Sequence, residues 1–199
     1  MARQNSAVRS RRRGKELEHA LYDAALAELA AVGYAGLTME GIAARARTGK
    51  AALYRRWASK RALVQDALHY ALPPLPEPRE DRSARENLLA VFTSHRDLLA
   101  GKTAFPSLPI MGQLIHEPEL RVIFADAVVE PRLRIIESVL QAGKSNGELD
   151  PALLTPLTPR VGPALINQYL LLNGVAPNMR FLKQIVDTVI PQSASTRAQ

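Results

Sequence analysis

Gly49-Lys50-Ala51-Ala52-Leu53-Tyr54-Arg55-Arg56-Trp57-Ala58-Ser59-Lys60 decides how this chain is read. Lys50 to Arg56 is a short helical segment with Leu53 inward, ending near Trp57, and Ser59 is suited to cap the helix that follows. Upstream, Thr38 caps another short helix carrying Met39, Ile42, Ala43 and Ala46, and Arg47-Thr48-Gly49 interrupts it. Two short helices across a glycine-containing turn make a helix-turn-helix. Ala43, Ala44, Ala46, Ala51 and Ala52 let the two backbones approach closely. The second helix of such a pair fits a DNA major groove roughly 12 Å wide. Arg45, Arg47, Lys50, Arg55, Arg56, Lys60 and Arg61 put positive charge at the same place.

Working outward, Glu16 to Val32 carries Leu17, Leu21, Ala25, Leu29 and Val32 at helical spacing. Gly33 is the expected left-handed C-cap of that helix, and Gly36 lies in the next turn. Behind Ser59, Leu63, Val64, Ala67, Leu68 and Ala71 form a fourth apolar stripe. Residues 1–62 hold 13 basic and 5 acidic side chains, whereas residues 63–199 hold 13 and 14. The whole excess of +7 therefore belongs to the first third, as expected for an anionic partner held at one end. All 14 prolines come after residue 72, beginning with Pro73, Pro74, Pro76 and Pro78, which predicts a stiff extended connection. The expected organisation is a basic arm over 1–14, a DNA-binding head with a connecting helix over 15–72, and a body over 73–199.

The head resembles the TetR family of bacterial transcription regulators. The resemblance lies in Gly33-Tyr34-Ala35-Gly36-Leu37-Thr38-Met39 with Ile42-Ala43, and in the stretch from Gly49 to Lys60 with Ala62-Leu63 behind it. It departs from the family pattern at Thr48, where valine is common, and at Ala52, where a threonine often reaches DNA. The resemblance implies DNA-contacting roles for Thr38, Arg47, Gly49, Lys50, Ala51, Ala52, Tyr54, Arg55 and Lys60. Thr38, Tyr54 and Lys60 are expected at phosphates. Lys50 and Arg47 are expected at base edges, with Ala51 and Ala52 offering apolar surface to thymine methyls. Arg55 suits either role. Trp57 is expected to lock the third helix against the first, and the arm Arg9 to Arg13 to follow the backbone or enter the minor groove.

In the body, Glu86–Leu99 and Phe105–His116 read as helices, as does the long run Glu119–Lys144, which Pro131 would kink or divide. Two more are expected near residues 160–172 and 179–190. Strand signals are nearly absent, so the fold class is all-α: a homeodomain-like head on a helical bundle. A lone head reads a short site weakly, and twofold pairing doubles the contacts. The resemblance implies a homodimer paired through the last two helices, with Leu165, Ile166, Tyr169, Leu170, Phe181, Leu182, Ile185, Val186 and Val189 as interface candidates. It also implies a small hydrophobic effector in the body, with Phe92, His95, Phe105, Met111, Ile115, His116, Phe124, Val128 and Tyr169 as candidate walls.

Other classes fit poorly. There is no cysteine, and His19, His69, His95 and His116 show no metal-ligand spacing, so neither metal nor cofactor is expected. No nucleophile elbow, phosphate-cradling loop or dinucleotide fingerprint occurs, which argues against an enzyme. No apolar run approaches the roughly 18 residues that span a bilayer, and no apolar stretch follows the charged start, so a cytoplasmic protein without membrane contact is expected. The expectation is a ligand-responsive repressor that binds double-stranded DNA at an inverted repeat. A constitutive or architectural DNA-binding protein, or an activator without effector, is the alternative.

Overall fold

The computed structural model describes residues 14–190, and every regular element among them is helical. The head holds α1 (Lys15–Gly36), α2 (Met39–Arg45), α3 (Lys50–Tyr54) and α4 (Lys60–Ala71). The body holds α5 (Ala84–Leu99), α6 (Ser107–Gln113), α7 (Pro118–Phe124), α8 (Glu130–Ser145), α9 (Thr158–Asn173) and α10 (Met179–Val189). The arginines Arg9 to Arg13 lie outside the described residues.

Local chemistry sets the boundaries. Thr38 Oγ1 accepts from the Gly41 N–H at 3.0 Å and Ser59 Oγ from the Ala62 N–H at 3.2 Å, as the sequence predicts. Each such cap is worth about 1 kcal/mol. Ser83 and Glu86 form a reciprocal capping box, which starts α5 at Ala84, two residues before the expected Glu86. Gly174 is left-handed (φ 69°, ψ 1°), and its N–H closes α9 on the Leu170 carbonyl.

Two features differ from expectation. Gly33 does have a positive φ of 73°, but its ψ of 171° lies in a region open essentially to glycine alone rather than in the left-handed helical one. The chain thus breaks sharply at Gly33 and resumes one more helical turn to Gly36. The run Glu119–Lys144 is divided before Pro131, not at it. Pro131 has no N–H for the carbonyl four residues back, and Ala125–Val129 winds as a π-helical turn in which the Glu130 N–H reaches the Ala125 carbonyl.

The core has two parts. One joins α1 to α4 with α6, α7 and the π-helical turn around Leu21, Leu29, Ile42, Leu53, Leu68, Ile110 and Leu120. The other fills α5, α8, α9 and α10 around Leu88, Phe92, Ile136, Ile166, Leu182 and Ile185. The head is therefore seated on α6 and α7, while α5 and α8 to α10 pack as a separate bundle.

Candidate nucleic-acid interface and body cavity

The short α3 turns Ala52 and Leu53 inward and leaves Lys50, Ala51, Tyr54 and Arg55 facing outward. Tyr54 is 52% exposed, too open for a core residue. Ala52 is a correction to the expected contact set: at 4% exposure it packs within the head and has no surface for a thymine methyl. Arg47 is exposed with φ 54°, the one positive φ among the described non-glycine residues. Thr38 and Gly49 are exposed beside it.

The face is held by contacts to the rest of the head. Glu28 on α1 takes Arg45 of α2 at 2.6 Å. Trp57 stands edge-on to Tyr22 of α1 with ring centres 5.6 Å apart, and its Nε1–H donates to Asp66 of α4 at 2.8 Å. Lys50 Nζ lies 3.1 Å from Glu40 Oε1, a hydrogen bond that holds the Glu40 carboxyl below its usual range. This exposed pair contributes little to stability, so Lys50 can exchange Glu40 for another acceptor cheaply. Lys60, expected at a phosphate, also binds within the head. Its ammonium donates to the Tyr34 carbonyl at 2.8 Å and lies 4.4 Å from the centre of the Tyr34 ring. It fastens the end of α1 to the start of α4 while remaining half-buried at the edge of the face.

In the body a cavity of about 110 Å³ lies among α5, α6, α8, α9 and the π-helical turn. Of the expected walls, His95, Phe105, Met111, Phe124 and Val128 line it. Four expected walls do not. The Phe92 ring is fully buried against Gly162, where a Cβ would come within 2.1 Å of its Cζ. Ile115 is 75% exposed beyond the end of α6, with His116 exposed beside it. Tyr169 packs against Phe181 of α10 with ring centres 4.6 Å apart and the rings tilted by 48°.

The polar part of the lining includes residues that periodicity did not single out. Arg132 and Asn167 sit beside His95, and Ser107 donates to the Leu98 carbonyl at 2.6 Å. His95 Nε2 is 2.9 Å from Asn167 Oδ1, and burial pushes the imidazole down to about 4, so it is neutral at pH 7. Arg132 is 4% exposed. One guanidinium nitrogen, Nη1, donates to the Val128 carbonyl at 2.8 Å, while Nε and Nη2 have no partner among the described residues. Asn167 and Arg132 lie on amphipathic helices where polar residues are common, so no local pattern marks them as cavity residues.

The cavity wall is wired to the head. Gln113, between the lining residues Met111 and Leu114 on α6, inserts into the break at Gly33. Its Oε1 accepts from the Tyr34 N–H at 2.8 Å, and its Nε2 donates to the Leu29 carbonyl at 3.3 Å. One side chain thus bridges the interruption in α1.

The last two helices need a correction as well. Ile166, Leu170, Leu182, Ile185, Val186 and Val189 are all buried in the subunit's own second core, because α9 and α10 pack on α5 and each other. Leu165, Tyr169 and Phe181 are half-buried. The strongly exposed apolar residues here are Leu171 and Leu172 near the end of α9, with Val175 beyond it. Among the described residues no group of acidic or histidine side chains is arranged to hold a metal, and no helix is long and apolar enough to cross a membrane.

Residues 21–67 match the sequence profile described as "Bacterial regulatory proteins, tetR family", and residues 78–189 match "Tetracyclin repressor-like, C-terminal domain". An uncharacterised HTH-type transcriptional regulator of Mycobacterium tuberculosis is 27% identical over 165 residues, 79% of this chain and 78% of its own. The uncharacterised HTH-type transcriptional regulator YdeS of Bacillus subtilis is 29% identical over 148 residues, 71% of each chain. FadR from Bacillus subtilis, solved in complex with stearoyl-CoA, superposes with a TM-score of 0.66 at 18% identity, over 87% of this chain and 98% of that one. A TetR transcriptional regulator from Agrobacterium tumefaciens also gives 0.66, at 22% identity over 87% and 92%. At these identities the two structures establish a common all-α fold.

Proposed function

From the premise that this chain belongs to the TetR family and is a DNA-binding transcriptional regulator, not an enzyme, we propose that it acts as a repressor. A homodimer binds an inverted-repeat operator in the cytoplasm and leaves it when a small, mainly hydrophobic effector fills the body cavity. Residues 15–72 are the DNA-binding unit, and residues 73–199 hold the effector and pair the subunits.

The observation that carries this is the outward face of α3. Lys50, Ala51, Tyr54 and Arg55 are free of the protein's own core, with Arg47 at the turn before them. Lys50 and Arg47 read base edges. Thr38 and Tyr54 hydrogen-bond phosphates, Lys60 supplies charge at the rim, and the backbone at Gly49 approaches closely. Twofold pairing sets two such helices about 34–36 Å apart, one turn of the duplex. Leu165, Tyr169 and Leu172 recur along one face of α9 at spacings of four and three, and Phe181 stacks on Tyr169. That face pairs with its copy.

Effector response is two-state. A ligand that moves α6 disturbs Gln113, whose two hydrogen bonds bridge α1 at Gly33, and so changes how the head sits on the body. The stearoyl-CoA of FadR belongs to that protein; a cavity of about 110 Å³ suits a far smaller apolar body.

The test selects an operator from random duplex DNA, then follows the complex by fluorescence anisotropy while small organic compounds, neutral and anionic, are added. An inverted repeat released by one of them is the expected result. Sequence-independent binding that no compound alters would replace this reading by that of a constitutive architectural protein.

A further inference from the structure

We propose that the body cavity takes a compact organic carboxylate, with Arg132 as its counter-ion; this rests on the ligand-responsive reading above and names the class of effector. Four observations carry it. Arg132 lines the cavity yet is 4% exposed, and two of its three guanidinium nitrogens have no hydrogen-bond partner among the described residues. No aspartate or glutamate is among the residues that line the cavity, and Arg132 makes no ion pair within the described residues. The remaining wall is mainly aliphatic and aromatic, so water does not replace the missing anion well. The cavity, about 110 Å³, is somewhat smaller than an engineered apolar cavity of about 150 Å³ that admits benzene, which limits the buried part of the ligand to about the size of one benzene ring.

A buried charge without a partner is costly to keep in a fold. Burial lowers the Arg132 guanidinium to about 10, which leaves it charged at neutral pH. A carboxylate supplies what is missing, because its two oxygens match the guanidinium fork and the pair strengthens where water is excluded. Ser107 and Asn167 are already engaged with Leu98 and His95, so neither competes for the ligand's charge. His95 adds a second preference. In the tautomer that gives Nε2–H to Asn167 Oδ1, the unpartnered Nδ1 presents a lone pair, which a hydroxyl on the ligand satisfies. Neutral apolar compounds fill the same volume and leave the cation unpaired, so the site discriminates by charge rather than by shape.

The test is calorimetric titration of the full chain with matched pairs: benzoate and benzamide, phenylacetate and phenylacetamide, hexanoate and hexanamide. At least one acid should bind tenfold or more tighter than its amide. Arg132→Met should abolish that difference while retaining amide binding, and Arg132→Lys, which keeps the charge without the fork, should retain part of it. Circular dichroism melting confirms that each variant is folded, and the comparison of acids with amides on the unaltered chain stands without any variant. Amides binding as tightly as acids would overturn the proposal, as would an acid preference that survives Arg132→Met in a folded protein. Release from the operator by neutral compounds alone would overturn the carboxylate and leave the ligand-responsive reading standing. No release by any compound would remove both.

Discussion

Arg47 concentrates the tension between fold and function in one residue. A side chain at φ 54° costs about 1–2 kcal/mol relative to a residue without a Cβ, and glycine is the usual occupant. Strain at an exposed arginine in the turn before α3 fits a side chain needed for binding. Arg47→Gly should leave stability unchanged or raise it by up to about 1 kcal/mol in urea titration, while flattening base preference at one position in each half-site. A variant that unfolds more easily and binds DNA with unaltered preference would remove the reading role. His95 gives a prediction in pH. Its folded-state value near 4 lies below the unfolded value near 6.5, so the unfolded chain binds the extra proton and stability falls as pH drops between the two. Relative to pH 7, this residue should cost the fold about 2–3 kcal/mol at pH 4.5. His95→Gln should remove that part of the slope in denaturant titrations at the two pH values.

At the scale of helices, the sequence is most legible where the determinant is local. Thr38 and Ser59 announce their helices by caps whose partners lie three residues on, and Leu53 and Trp57 announce an inner face by spacing, so the head is legible from local pattern alone. The body was harder because its deciding contacts are distant. Gln113 bridges the break at Gly33 across 79 residues of sequence, and nothing near either position predicts the other. Arg132 follows a proline on a helix with a polar face, and its burial, with Nη1 on the Val128 carbonyl of the π-helical turn, is not marked by any local pattern. Six of the nine dimer candidates, all but Leu165, Tyr169 and Phe181, show the converse difficulty. Helical periodicity finds the buried stripe of α9 and α10, but it does not say whether that stripe is covered by the same subunit or by another. Gln113→Ala tests the bridge directly. It should lower stability by about 1–3 kcal/mol through three lost hydrogen bonds, two to α1 and one to the Pro109 carbonyl, and it should blunt operator release by effector in anisotropy titrations. Unimpaired release would show that the head and cavity communicate elsewhere, for instance through α4 and α7.

At the scale of the molecule, two cores divide the labour. The head shares its core with α6 and α7, so a change at the cavity wall has a packed route to α1, whereas α5, α8, α9 and α10 fill a second core. Leu172 is 74% exposed, so Leu172→Glu should leave the monomer's stability nearly intact while placing a carboxylate in the proposed paired face. Sedimentation should then report monomers, and operator affinity should fall by about 100-fold or more as two linked heads become separate. A dimer of normal affinity would shift the pairing face away from this part of α9. The most direct measurement of the central claim, that the outward side of α3 reads bases from a twofold-paired molecule, is operator selection from random duplexes run in parallel for the unaltered protein and for Lys50→Ala. The expected result is an inverted repeat for the first, and for the second the same repeat with preference lost at one symmetric pair of positions. An identical motif from both proteins would contradict it, as would an enriched site without twofold symmetry.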